Sequence, residues 1–253
     1  MSSHSPEDFA RVLLSRLKIE PPIDLEFVAK SIGLSIQTVD SDNFDGVMKR
    51  IPNRARGIVA VRTGIRGQGR VRFTIAHEIG HYTQEHGKEI LCRSSDIETR
   101  IGSNNHEEVE ANRFASELLM PAEYVRRLIG EQSVSIATVK LVAERSRSSL
   151  TATVIQCMNV ITESCAAVIS VDGKVWFYKP SKTWKYVVRV GCALDKRSMA
   201  ASLDLECDKK TGCVPISVWT TIDRSGPVSS LKEQSIYLPP YNMTLSLLKP
   251  VLA

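Results

Sequence analysis

What the chain lacks narrows it first. Nowhere in its 253 residues does an apolar run approach the roughly 20 residues that a membrane-crossing helix needs. Met1 to Phe9 is polar and acidic, without the basic-then-apolar order of a secretory signal. These two absences lead to the expectation of a cytoplasmic protein with no membrane partner. Paired cysteines are also wanting. Cys92, Cys157, Cys165, Cys192, Cys207 and Cys213 show no C-x-x-C spacing. A disulfide or a cysteine metal site at Cys207 and Cys213 is therefore a weak reading, and buried thiols in a reducing compartment are expected.

Acidic residues are missing from one stretch. Between Lys49 and Arg72 stand eight basic side chains and no acidic one. Such a run reads either as the rim of a cleft favouring acidic substrate segments or, more plainly, as exposed positions on an edge sheet. Residues 1–130 hold 18 basic and 18 acidic side chains, and residues 131–253 hold 15 and 10. The net charge of +5 thus lies wholly in the second half, where it weakly permits an anionic partner. Hydrophobic residues at 43% and charged residues at 24% suit a globular protein, and the length suits one large domain or two of ordinary size.

Against these absences stands one chemically loaded stretch, Ile75-Ala76-His77-Glu78-Ile79-Gly80-His81. On an α-helix, histidines four residues apart leave from one face and can hold one ion. Glu78 is displaced around the helix, well placed to reach a water on that ion. Two ligands, a general base and an open coordination position are the layout of a zinc hydrolase. Its plainer rivals are a histidine pair on a wetted helix face and a structural metal site.

Along the chain, residues 7–18 place apolar groups at helical spacing with acids first and bases last. Pro21-Pro22 stops that helix. Asp24 caps a second one, which Gly33 closes. Strands are expected at Leu34–Val39 and Gly57–Val61, with Asp45-Gly46 as a turn signal between them. Arg70 to Thr74 leads into the His77 helix, where Gly80 permits close approach of another segment. Gly102-Ser103-Asn104-Asn105 reads as a loop. A helix follows over His106 to Met120, then another from Pro121 to Gly130. Glu107, Glu108 and Glu110 crowd the start of the His106 helix. Position alone does not choose a third ligand among them, since acids there also suit the helix dipole.

Two helices joined near Ser146–Ser149 carry apolar stripes at Ile136, Val139, Val142 and at Leu150, Val154, Ile155, Met158. From Ser164 the pattern turns to β. Cys165–Val171, Asp172-Gly173 and Lys174–Tyr178 form a hairpin signal, and further strands are expected at Val187–Val190, Val214–Trp219 and Ser235–Leu238.

Arg72–Tyr82, followed by Glu108-Val109-Glu110-Ala111-Asn112-Arg113-Phe114-Ala115-Ser116-Glu117-Leu118-Leu119-Met120-Pro121, resembles the ImmA/IrrE family of zinc metallopeptidases. Asp24–Leu34 looks like the family's N-terminal portion, and Tyr241–Pro250 is similar to the way longer members finish. The resemblance is strong over residues 24–130 and loose beyond. It implies His77, His81 and Glu108 as metal ligands, Glu78 as the catalytic general base and Asn112 as a group orienting a ligand. Glu110 is the alternative ligand. Members often carry a histidine four residues after the second ligand. Here that place is Glu85, with His86 one step on, and neither His86 nor His106 is given a catalytic role. The oxyanion partner is open among Tyr82, His86, His106 and Arg72.

The resulting expectation is an α+β fold in three parts. Residues 1–130 form a mainly helical, zincin-like peptidase core with a small N-terminal sheet. Residues 131–162 form a helix-turn-helix-like helical segment, and residues 163–253 a C-terminal mixed-β domain, GAF-like as in some longer members, for sensing or substrate binding. The family implies a Zn2+-dependent endopeptidase, with Mn2+ as another candidate ion. Its protein substrate would be a helix-turn-helix transcriptional repressor or antitoxin-like partner, cut in a stress response. The alternative is a DNA- or partner-binding regulator with a non-catalytic metal site.

Overall fold

A computed structural model describes residues 5–51, 55–86, 89–92, 106–221 and 228–252. The fold is mixed α+β, with seven helices and three sheets among the described residues. None of those helices is long and apolar enough to cross a membrane. The chain divides into two compact units, Met1–Tyr124 with Ala143–Ala152, and Val125–Val142 with Thr153–Ala253.

In the first unit, α1 (Pro6–Leu17) opens on a capping box. The Ser5 hydroxyl accepts from the Asp8 amide, and the Asp8 carboxylate accepts from the Ser5 amide. Helix α2 (Leu25–Ser31) starts where the Asp24 carboxylate accepts the Phe27 amide. Four strands follow: β1 (Leu34–Val39), β2 (Gly46–Arg50), β3 (Gly57–Arg62) and β4 (Glu89–Cys92). They form a sheet in the order β1-β3-β2-β4, parallel between β1 and β3 and antiparallel elsewhere. Alternate β3 residues Gly57, Val59 and Val61 are buried, as a half-covered strand requires.

Two sequence expectations change here. Asp45-Gly46 is not the turn: Gly46 opens β2 opposite Val61, and Asp45 is fully buried. Its carboxylate takes hydrogen bonds from Arg62 (2.7 and 3.0 Å) and Arg70 (3.1 Å), which is what allows it inside. The central helix also begins earlier than expected. Helix α3 spans Gln68–Thr83, so Arg70 to Thr74 lie within it.

Helix α3 is buried on nearly every side from Phe73 to His81, because the sheet covers one side and α4 (His106–Leu119) another. Gly80 makes the second packing possible. A β-carbon there would stand 3.0 Å from the Phe114 ring and 3.3 Å from the Ala111 backbone. Helix α1 is fastened to α4 by Glu7–Arg113 (2.7 and 2.8 Å) and Arg11–Glu117 (2.8 Å). Gly102–Asn105 lies outside the described residues.

The remaining helices are α5 (Ala122–Ile129), α6 (Ile136–Ser146) and α7 (Leu150–Val160). Each contributes residues to both units. The second unit's main sheet is antiparallel, in the order β6-β5-β11-β10-β8. Its strands are β5 (Ala166–Val171), β6 (Lys174–Pro180), β8 (Lys209–Pro215), β10 (Val228–Leu238) and β11 (Met243–Leu252); β7 (Val187–Val188) pairs separately with β9 (Thr220–Thr221). The β5–β6 hairpin turns through Asp172 and Gly173, both at positive φ, the primed turn that suits strand twist. The expected strand over Val214–Trp219 stops at Pro215 and gives way to a 3-10 turn at Ile216–Val218. That turn lets Trp219 reach the core, where its indole donates to the buried Glu233 carboxylate at 2.8 Å. The Ala200 amide and the Ser235 hydroxyl donate to the same carboxylate.

The cysteines depart from expectation. Cys157 and Cys165 are buried, but Cys192 and Cys213 are exposed and Cys207 is half-buried; all five are free thiols. Burial pushes the Cys157 and Cys165 thiols up to about 12, which makes them inert at neutral pH.

Candidate metal centre

The His77–His81 spacing does on α3 what a helical turn dictates. The two Nε2 atoms converge to 2.9 Å. The first turn of α4 brings Glu108 to the same point, with carboxylate oxygens 3.1 Å from His77 Nε2 and 3.3 Å from His81 Nε2. An ion bonded tetrahedrally at about 2.0–2.1 Å asks for ligand atoms about 3.3 Å apart. The donor set, two imidazoles and one carboxylate, is a zinc-type set with one position left over. Residues and spacing fit a divalent ion. Among the described residues, this is the sole cluster of three or more such groups close enough to hold one.

The electrostatics agree. His77, His81 and Glu108 are 1%, 0% and 9% exposed. Burial alone would raise the Glu108 carboxyl. Hydrogen bonds to His77 and His81 outweigh it and hold the group well below the usual carboxylate range, as an anionic ligand. Burial pushes His81 below its ordinary value, against the pull of Glu108, which keeps its imidazole neutral and able to bind a cation.

Around these three lies a ring of supports. His77 Nδ1 meets Asn112 Oδ1 at 3.0 Å. His81 Nδ1 meets His86 Nδ1 at 2.9 Å, and His86 Nε2 meets the Glu110 carboxylate at 3.1 Å. The same Glu110 oxygen takes His106 Nδ1 at 3.2 Å. Glu110 therefore stands outside the three-ligand group, engaged with two other histidines. The end of α3 explains why His86 is present. Glu85 adopts the left-handed conformation at φ 60°, the His86 amide donates to the His81 carbonyl and the Glu85 amide to that of Tyr82. This reversal folds His86 back over His81.

Glu78 is completely buried, one residue along α3 from His77. Strand β2 crosses it at Gly46, where a β-carbon would stand 2.6 Å from Glu78 Oε1 and 2.6 Å from Thr74 Cγ2. Arg50, on the same strand, donates to the His81 and Tyr82 carbonyls and stacks 4.4 Å above the Tyr82 ring. A cation at a helix C-terminus is stabilising, and this one holds the ligand-bearing end of α3. Arg72 donates to the Ile23 carbonyl at 2.7 Å. Arg50, Arg62, Arg70 and Arg72 are thus engaged inside the unit, and much of the basic run is scaffold. Of the oxyanion candidates, Tyr82 lies under Arg50, and His86 and His106 meet Glu110. The sequence reading missed Gly46, Arg50 and the His86–Glu110 contact. Its available clue was a histidine just past the end of the ligand helix.

The family model described as the IrrE N-terminal-like domain of the peptidase M78 family matches residues 29–157. A Mycobacterium tuberculosis transcriptional regulator of known structure has a similar fold. Its TM-score is 0.64 at 14% identity, over 97% of this chain and 88% of that one. No curated protein matches the sequence significantly. Because the family match spans just over half of the sequence and takes in every residue of the centre, the chain belongs to the peptidase M78, IrrE N-terminal-like family.

Proposed function

We propose that the chain is a zinc-dependent endopeptidase of the cytoplasm that makes a limited cut in one regulatory protein, a helix-turn-helix repressor or antitoxin-like partner. The observation that carries the chemistry is the convergence of His77, His81 and Glu108 within 3.3 Å, beside a buried Glu78. The choice of partner rests on the family resemblance.

When bound, Zn2+ or a similar divalent ion would acidify a water and polarise the scissile carbonyl. His77, His81 and Glu108 would hold it. Asn112 fixes His77 by accepting from Nδ1, which leaves Nε2 free to coordinate. Glu78 takes the proton of the attacking water and returns it to the leaving amine. The Gly46 strand lies directly against the Glu78 carboxylate and helps to keep it in place.

The test is cleavage of a candidate repressor by the zinc-loaded chain. Glu78→Gln should abolish cutting while the protein still binds zinc, and chelation should abolish it reversibly. Cutting that survives Glu78→Gln would sink the assignment. A second reading, a DNA- or partner-binding regulator with a non-catalytic metal site, draws on the fold shared with a protein described as a transcriptional regulator. Tight DNA binding unaffected by His77→Ala, together with no proteolysis, would favour it.

A further inference from the structure

We infer that His86 and Glu110 form a positioning arm that fixes the tautomer and aim of His81. The inference rests on the reading of His77, His81 and Glu108 as metal ligands.

The hydrogen positions follow from a chain of necessities. To coordinate through Nε2, which faces Glu108 and His77, His81 must carry its proton on Nδ1. That Nδ1 lies 2.9 Å from His86 Nδ1, so His81 donates and His86 accepts. An accepting Nδ1 obliges neutral His86 to carry its proton on Nε2. His86 Nε2 lies 3.1 Å from the Glu110 carboxylate, which can only accept. Each link allows one direction of donation, and Glu110 sets it. The two ligand imidazoles are thus braced separately, His77 by Asn112 and His81 by the His86–Glu110 arm. A carboxylate behind a ligand imidazole raises its basicity and holds its plane.

The arm is a product of the α3 terminus. Had the helix run on, residue 86 would lie about 140° round the axis from His81 and about 7.5 Å along it. The left-handed Glu85 brings His86 back onto the ligand instead, and both His81 and His86 are buried there. Neither His86 nor Glu110 belongs to the three-ligand group. Their role is positioning.

The experiment uses the full chain and Zn2+ alone, with a chromogenic chelator as competitor, and the visible spectrum of the Co2+-substituted protein. His86→Phe keeps bulk but removes the acceptor. His86→Gln keeps a carbonyl acceptor. His86→Phe should lose about 10–100-fold in zinc affinity and alter the Co2+ spectrum. His86→Gln should return to within a few-fold of wild type with the wild-type spectrum. Equal affinity and spectrum in His86→Phe and wild type would overturn the arm, as would a His86→Gln protein no better than His86→Phe. A wild-type chain that takes no Zn2+ would overturn the ligand reading itself, and the arm with it.

Discussion

Gly46 lies so close to Glu78 that any side chain at this position would strike the carboxylate: a β-carbon would stand 2.6 Å from Oε1. The glycine is needed for space and not for a turn, since it sits within a paired strand. Gly46→Ala should therefore displace Glu78 while leaving the ligands in place. The expected result is a loss of about 100-fold in kcat/KM with zinc affinity within a few-fold of wild type. Peptide-cleavage kinetics beside a zinc competition titration check it. Equal loss of both would place the damage in the fold.

Glu85 offers a prediction of the opposite sign. It holds a left-handed conformation at the C-terminus of α3, where glycine is favoured and a β-carbon costs about 1 kcal/mol. Glu85→Gly should keep or slightly raise the melting temperature of the first unit. Because the reversal is preserved, zinc affinity should hold. Scanning calorimetry gives the first quantity, and a marked fall in melting temperature would contradict the account.

Acid sensitivity should be readable in the second unit. Burial alone would raise the Glu163 carboxyl, but Lys249 at 2.8 Å, the Ser133 hydroxyl and the Val134 amide outweigh it and hold the group below its ordinary value. A depressed carboxyl stabilises the fold above its unfolded value of about 4.3, and that stability is lost as pH falls through the folded value. The contribution should be constant from pH 7 to about 5 and decline below. Glu163→Gln should cost about 1 kcal/mol at pH 7, and the difference from wild type should shrink towards pH 3. All three tryptophans, Trp176, Trp184 and Trp219, belong to this unit. Tryptophan fluorescence in urea therefore reports on it.

The sequence made the centre legible where the signal was local or repeated. His77, Glu78 and His81 announce themselves because one helical turn sets their relation. The bounds of α2 and α4 follow Asp24 and Pro121 closely, for caps and breakers are local chemistry. Glu108 was separable from Glu107 and Glu110 only through family resemblance, because choosing among them requires the angle at which α4 crosses α3. Asp45-Gly46 misled because its reasons are distant. Arg62 and Arg70 hold the aspartate, and Glu78 excludes a side chain from the glycine. The His86 contact depended on how α3 ends, a matter of one left-handed residue that is not glycine. The exposed Cys192 and Cys213 lie on a loop and an outer strand, where composition says nothing of side-chain direction.

The chain passes between its two units after Tyr124, after Val142 and after Ala152. The short return is embedded. A β-carbon on Gly69, in the first turn of α3, would meet the Ser149 amide nitrogen at 2.4 Å. A fragment ending near residue 130 would lose that support from the very helix that carries His77 and His81. The peptidase half is thus not a detachable module: dissection by truncation removes part of its own body, and point substitution within the full chain is the sound way to take it apart.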